Sequence, residues 1–200
     1  MFREDPVYAD RAARIASLAR DITEYIAGLS LPAPERRSGL VVAYHSACSM
    51  QHGQRLTDLP KRLLQSAGFQ LRDVPEGHIC CGSAGTYNIL QPSFARRLRR
   101  RKIGNIERLK PDVIATGNIG CITQIGGGTK IPIVHTVQLL DWAYGGPALE
   151  ELVDFDTLGP PNSIASLANS VLRRMMTKTG RGMVWRKDGD IHGGEAEIHG

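Results

Sequence analysis

The four cysteines of this chain follow short apolar runs at three points along the sequence. They are Cys48, the adjacent pair Cys80 and Cys81, and Cys121. The intervals between the three points are 31 and 39 residues, close to the roughly 30 residues that a strand, a crossover helix and the next parallel strand need. The cysteines thus recur about once per βαβ unit, just after a strand. Parallel strands bring such positions to one edge of a sheet, so the pattern predicts a metal or cluster site of four thiols.

Alternating strand and helix patterns extend from Gly39 to about residue 144. We predict strands at 39–45, 69–74, 112–116 and 131–134, and helices at 58–67, 93–109 and 136–144. Such alternation is typical of an α/β fold, here a parallel sheet with flanking helices. A helix starting near Asp5-Pro6 is expected to precede the sheet. After it we expect a helix at 163–176 and a disordered tail at 177–200, which is rich in Gly and charge.

Structural disulfides and zinc are the two alternatives to an iron–sulfur cluster. The first six residues, MFREDP, show no apolar signal segment, so we expect a cytoplasmic, reducing context in which disulfides are rare. A bridge between adjacent Cys80 and Cys81 would be strained. Structural zinc sites usually contain a close C-x₂₋₄-C or H-x₃₋₅-H pair, which this sequence lacks. A site whose ligands are all thiolates favours an iron–sulfur cluster over zinc.

Three stretches around the cysteines carry a resemblance to a known family. They are YHSACSMQHGQ at 44–54, CCGSAGTY at 80–87 and GNIGC at 117–121. They resemble the C-terminal CCG cysteine-rich domain of the iron–sulfur subunit of glycolate oxidase (glycolate dehydrogenase), over about residues 5–147. The CCG motif alone also occurs in heterodisulfide reductase and in lactate-utilisation proteins. The HSAC-x-x-QHGQ stretch and the segment HTVQLLDW at 135–142 narrow the resemblance to the glycolate enzyme.

The sequence also departs from this family. Its members normally begin with a ferredoxin-like domain carrying two C-x₂-C-x₂-C-x₃-C-P runs, followed by a first CCG domain, and neither is present here. The sequence therefore resembles the C-terminal part of a longer subunit, as a fragment or a split gene product. Many CCG domains end in C-x-x-C, but Gln124 stands at the last position here. The resemblance thus implies one [4Fe–4S] cluster held by four thiolates, Cys48, Cys80, Cys81 and Cys121.

The sequence pattern and the resemblance together divide the chain into three parts. Residues 1–38 are expected to form the N-terminal helix and linker, 39–147 the CCG cysteine-rich domain, and 148–200 the C-terminal helix and tail.

Four further residues are expected to contact the cofactor, namely Gly82, Ser83, Gly85 and His45. Glycines let the backbone pass close to a bulky cluster and direct N–H groups at its sulfur atoms, although an anion-binding loop is an alternative. His45 and His52 bracket Cys48 and could donate hydrogen bonds to the site, as could Asn118 and Gln124 on either side of Cys121. No catalytic residue is assigned, because no nucleophile–base set or dinucleotide fingerprint occurs.

Basic residues are concentrated in one segment of the chain, whose net charge is +5. Six of the seven residues at 96–102 are Arg or Lys. Phe94, Leu98, Ile106 and Leu109 follow helical spacing, which places most of these cations on the outer face of a helix. We interpret them as a solvated face, with a docking surface for an acidic partner subunit as the alternative. No nucleic-acid recognition motif accompanies them, so no nucleic acid is expected as a partner.

The family resemblance implies an electron-transfer role. It implies a subunit of glycolate oxidase that relays electrons from flavin-binding subunits, where glycolate becomes glyoxylate, towards a membrane acceptor. No apolar run reaches the roughly 18 residues of a membrane span, so we expect a cytoplasmic protein that meets the inner face of the membrane peripherally, through its complex. The isolated chain is expected not to be catalytic. The alternatives are a cluster-free assembly module and a related CCG-type lactate or heterodisulfide redox component.

Overall fold

A computed structural model describes residues 2–36 and 39–149 of the chain. Seven α-helices, one π-helical turn and four strands are present in these two ranges. In chain order they are α1 Ala9–Leu18, α2 Ile22–Ala27, β1 Val41–Tyr44, the π-helical turn Ser49–Gln54, α3 Leu59–Ser66, β2 Gln70–Asp73, α4 Tyr87–Leu90, α5 Pro92–Glu107, β3 Val113–Thr116, α6 Ile119–Gly126, β4 Ile133–His135 and α7 Thr136–Ala143.

The four strands form one parallel sheet in the order β2-β1-β3-β4. In the register of the sheet, Val42 of β1 lies between Leu71 of β2 and Val113 of β3. The three strands that precede the cysteines are therefore neighbours, and their carboxyl ends lie side by side. The predicted α/β fold, with a parallel sheet and flanking helices, is confirmed.

Helices cover both faces of the sheet, and the strand residues alternate between them. Val42 and Tyr44 pack with residues of α2, α3 and α7 in one hydrophobic cluster. Ala43, between them in sequence, packs with residues of α5 and α6 in a second cluster, because successive side chains of a strand point to opposite faces. Cys81 and Cys121 belong to the second cluster, so the candidate site lies on the α5–α6 side of the sheet.

The single N-terminal helix expected before the sheet is in fact two helices, α1 and α2. Asp21 begins the second one as its N-cap. The Asp21 Oδ1 atom accepts a hydrogen bond from Thr23 N at 2.9 Å, and Glu24 Oε2 accepts one from Asp21 N at 2.8 Å. This reciprocal capping box favours a new helix start. As a consequence Ile15 and Leu18 of α1 remain exposed, whereas Ile26 of α2 is buried.

The helix predicted at 163–176 and the tail predicted at 177–200 lie outside the described residues. Within 2–36 and 39–149, no helix is long and apolar enough to cross a membrane.

Candidate metal centre

The four cysteine thiols come from three loops at the carboxyl edge of the sheet. Cys48 follows β1 and immediately precedes the π-helical turn, Cys80 and Cys81 lie in the loop after β2, and Cys121 lies in the first turn of α6, after β3. All four are free thiols. Because β2, β1 and β3 are neighbours in the sheet, three separate loops deliver their cysteines to one place.

The closest pair of sulfur atoms joins two of these loops. Cys81 Sγ and Cys121 Sγ are 3.4 Å apart. One ring nitrogen of His45 lies with these two sulfur atoms in a set whose members are all within 4.8 Å of one another. All three side chains are buried, whereas Cys48 and Cys80 are partly exposed. The site thus has a buried floor of two thiols and one imidazole, and a more accessible rim of two thiols.

The proximity of the thiols separates their pKa values. The hydrogen bond between Cys81 and Cys121 is the largest cause that lowers the pKa of Cys81, to about 4, and the adjacent His45 ring and the Ser83 backbone N–H lower it further. The same hydrogen bond, followed by burial, raises the pKa of Cys121. Burial is also the main reason why the pKa of Cys48 is raised to about 11. The hydrogen bond between the two thiols therefore favours a state in which the Cys81–Cys121 pair holds a single proton.

His45 is placed in the site by β1. It directly follows that strand, and its backbone N–H donates to Ala115 O of β3 at 2.8 Å. The side chain is only 1% exposed, and neither ring nitrogen has a hydrogen-bond partner within the described ranges. A buried polar group without a partner is costly. The ring is thus available to a group bound among the cysteines. His52, the other bracketing histidine, is exposed.

The predicted glycine loop passes over the site in a left-handed conformation. Gly82 has φ +93° and donates its N–H to Cys80 Sγ at 3.3 Å. A Cβ atom at this position would lie 2.5 Å from Ala95 O of α5. Gly85 also has a positive φ, of +66°, but no atom within 4 Å of where its Cβ would be. The loop therefore needs glycine at 82 for both conformation and space, and at 85 for conformation only.

Comparison with known proteins matches this part of the chain to one family. Residues 42–126 match the family model described as "Cysteine-rich domain", CCG. This region is a CCG cysteine-rich domain. The matched range contains all four cysteines and His45.

Curated relatives share the same region. The chain is 37% identical over 143 residues to the glycolate oxidase iron-sulfur subunit of Escherichia coli K12, a match that covers 72% of this chain and 35% of that protein. It is 28% identical over 148 residues to lactate utilization protein A of Bacillus licheniformis, over 70% of this chain and 62% of that protein. Lactate utilization protein A of Geobacillus thermodenitrificans is likewise 28% identical, over 155 residues, with the same two shares covered. This chain therefore spans about a third of the first relative and about three fifths of the others.

The two amides that flank Cys121 in the CCG domain do not donate to the thiols. Asn118 is the N-cap of α6, and its Oδ1 accepts a hydrogen bond from Cys121 N at 3.2 Å. Gln124 Oε1 accepts one from Asn88 Nδ2 at 3.3 Å. Asn118 thus fixes the backbone of Cys121, and Gln124 ties α6 to α4.

Helix α5 of the CCG domain differs from the sequence expectation at two positions. Phe94, expected on the inner face, is 55% exposed, whereas Lys102 of the basic run is 1% exposed. The Lys102 Nζ atom donates to Glu76 O at 2.9 Å and to Gly77 O at 3.4 Å, in the loop that leads to Cys80. Lys102 is the residue that the sequence analysis missed. Its only sequence signal is its spacing, one residue before Ile103 and four before Ile106, both of which are buried.

The donor set of the CCG domain fits an iron–sulfur cluster. Thiolate sulfur is the ligand type that such clusters use, and the four thiols here are free and gathered from three loops. Cys81 already favours its thiolate form, which is the form that binds metal. The N–H groups of Gly82 and Ser83 are directed at sulfur atoms, and such hydrogen bonds are typical around clusters.

Proposed function

We propose that the CCG domain binds one [4Fe–4S] cluster through Cys48, Cys80, Cys81 and Cys121. The observation that carries this proposal is the convergence of four free thiols from the ends of three adjacent parallel strands. Four is the number of thiolates that a [4Fe–4S] cluster takes. The similarity to an iron-sulfur subunit supports the same cofactor.

The protein's own contribution is to hold and shield the cofactor. A [4Fe–4S] cluster supplies one-electron transfer. Cys81 and Cys121 anchor it in the buried floor of the site, and His45 offers a ring nitrogen to the bound group. Gly82 allows α5 to approach the loop closely, which helps to keep water out. Ser83 and Gly85 shape the same loop, and the partly exposed Cys48 and Cys80 lie on the side open to an electron-transfer partner.

At the level of the complex, we propose an electron-transfer component of glycolate oxidase. It would receive electrons from flavin-binding subunits and pass them towards a membrane acceptor, as a cytoplasmic protein held peripherally at the membrane by its partners. The 37% identity to the Escherichia coli subunit supports glycolate as the substrate of that complex. The 28% identity to lactate utilization protein A supports a lactate-oxidising complex as the second candidate.

Single Cys→Ser variants test the cofactor assignment. The chain is purified without oxygen, and iron, acid-labile sulfide and the EPR spectrum of the dithionite-reduced protein are measured. We expect about four irons and four sulfides per wild-type chain, the stoichiometry of the cluster itself. Each of the four variants should lose most of both, whereas the control His52→Ala, which changes an exposed residue next to the site, should retain them.

Two results would contradict the assignment. The first is full retention of iron in two or more cysteine variants. The second is a wild-type chain that binds one zinc ion and no sulfide, which would point to a mononuclear centre at His45, Cys81 and Cys121, the buried set of ligand atoms within 4.8 Å of one another.

A further inference from the structure

Lys102 is a buried cation with no carboxylate partner in the described part of the chain. Its side chain is 1% exposed and is the largest of the fully buried side chains within residues 2–36 and 39–149. The Nζ atom has two acceptors, the backbone oxygens of Glu76 and Gly77. The ion pairs formed within 2–36 and 39–149 are Lys61–Asp73 and Arg101–Glu76. Burying an ammonium group without a counter-charge is strongly unfavourable, so a negative group near it would stabilise the fold.

The nearby carboxylate of Glu76 is committed elsewhere. Its oxygens accept hydrogen bonds from Arg101, whose Nε lies 2.8 Å away, and from Asn105 Nδ2, also at 2.8 Å. Glu76 is partly exposed, and its charge comes last among the influences that raise the pKa of Lys102.

The cysteine site can supply the missing negative charge. The ammonium group is held by the loop that leads to Cys80, because both of its acceptors, Glu76 O and Gly77 O, belong to that loop. Burial is the largest influence on the pKa of Lys102 and lowers it, whereas the charges that the cysteines can carry act in the opposite direction. In this buried part of the protein charges are poorly screened.

The position of Lys102 is fixed by the two loops that carry the rim cysteines. Gly77 O, which accepts from Lys102, also accepts a hydrogen bond from Gln51 Nε2 at 3.2 Å. Gln51 lies in the π-helical turn that follows Cys48, and Gly77 lies three residues before Cys80. The same amide of Gln51 donates to Ser46 O at 2.9 Å. The ammonium group is thus held where the Cys48 loop and the Cys80 loop meet.

We propose that Lys102 is the built-in counter-cation of the cysteine site and stabilises the reduced state of the group bound there. This inference rests on the proposed function, that the cysteines bind an iron–sulfur cluster. Reduction of the site by one electron adds one negative charge to it. A fixed, buried cation favours that extra charge, so it raises the reduction potential. Lys102 does not bind the cofactor and acts on it through space.

Three variants of the full 200-residue chain test this role. Lys102→Gln keeps a hydrogen-bond donor and removes the charge, and Lys102→Arg keeps the charge. Arg100→Gln is the control, because it removes a cation from an exposed position of the same helix. For each, iron and sulfide content are measured, and the midpoint potential is determined by an EPR-monitored redox titration with dithionite.

We expect Lys102→Gln to bind the same iron and sulfide as the wild type and to have an equilibrium constant for reduction at least about tenfold lower. For a one-electron couple this equals a shift of about 59 mV to lower potential. Lys102→Arg and Arg100→Gln should stay close to the wild type. An unchanged potential in a fully loaded Lys102→Gln variant overturns the inference and leaves the proposed function intact. A wild-type chain without iron and sulfide overturns the proposed function itself.

A further measurement covers the case in which Lys102→Gln does not assemble the cofactor. In that case Lys102→Arg decides, because it keeps both the charge and the hydrogen-bond donors. It should bind iron and sulfide like the wild type and keep its midpoint potential. Failure of Lys102→Arg to bind them as well would show that Lys102 serves only to anchor the 76–77 loop, and would overturn the inference.

Discussion

The pKa values of the individual thiols in this site depend on their burial and on their immediate neighbours. Cys81 and Cys121 are chemically identical thiols 3.4 Å apart, yet their pKa values move in opposite directions, because one donates the hydrogen bond that the other accepts. Cys48 is the same residue type in a different setting, and burial raises its pKa to about 11. The order in which the thiols lose protons thus depends on contacts within the folded chain.

The effect of such contacts can be tested at Glu76 through the pH dependence of stability. Hydrogen bonds from Arg101 and Asn105 lower the pKa of its carboxyl group from the usual 4.5 to about 2. A carboxyl group whose pKa is lower in the folded protein than in the unfolded chain stabilises the fold at pH values above its unfolded pKa. For Glu76 this contribution is lost as the pH falls from 4.5 towards 2. In the metal-free, reduced chain, Glu76→Gln should therefore lower the urea midpoint at about pH 6, and the difference from the wild type should shrink at about pH 3.

The control for Glu76 is Glu4→Gln, since Glu4 is exposed. We expect no difference from the wild type at either pH for this variant. If Glu76→Gln lowers the urea midpoint equally at both pH values, the carboxylate charge has no part in holding the loop.

At the scale of elements, α5 organises the loop between β2 and the cysteine pair. Asn105 Nδ2 donates to Pro75 O at 3.0 Å and Lys102 Nζ donates to Glu76 O at 2.9 Å. On the other side of the cysteine pair, Ala95 O of the same helix lies against Gly82. One helix thus fixes the chain both before and after Cys80 and Cys81, so its position sets the position of two proposed ligands.

The contact between Gly82 and α5 predicts unequal costs for two glycine substitutions. Gly82→Ala would place a Cβ 2.5 Å from Ala95 O at φ +93°, and we expect it to lower the free energy of unfolding by about 2 kcal/mol or more. Gly85→Ala meets only the cost of a positive φ, about 1 kcal/mol. Urea unfolding of the metal-free chain measures both. Equal costs would show that α5 moves freely away from the loop.

At the scale of the whole molecule, the strand order concentrates the thiols. In the order β2-β1-β3-β4, the three strands that precede cysteines are adjacent, and the fourth lies at the edge. The two faces of the sheet differ in consequence. The α2–α3–α7 side is an apolar core, whereas the α5–α6 side includes two of the thiols in its core. The thiols therefore lie together at one end of the α5–α6 face of the sheet.

The proposed role predicts that this chain alone does not oxidise glycolate. Removing a hydride from an α-carbon requires an organic acceptor such as a flavin, and the sequence contains no dinucleotide fingerprint. In a dye-linked assay of glycolate oxidation, the purified chain should show no turnover above background, with free flavin present or absent. Activity should require the flavin-binding subunits and a ferredoxin-like region. Turnover by the chain alone would contradict the electron-transfer role.

The sequence by itself determined the architecture and the approximate location of the site. Alternating apolar runs and helical spacing predicted the strands to within about two residues at most ends, because strand and helix periodicity are properties of neighbouring residues. The cysteines could be assigned to one edge of the sheet from their spacing, because parallel strands joined by crossover helices all end on the same side. The glycine after Cys81 was likewise recognisable as a position of unusual backbone.

Only the tertiary structure decided which individual side chains face the site. Lys102 belongs to a run of cations that helical spacing places mostly in water, and the loop at 76–77 packs over it. Asn118 has the chemistry of a donor, but its place at the start of α6 makes it an acceptor. The capping box at Asp21 divides the N-terminal helix, although Ile15, Leu18, Ile22 and Ile26 follow one helical spacing across the division. In each case the outcome depends on groups distant in sequence or on competing local hydrogen bonds, and residue type and spacing do not specify these.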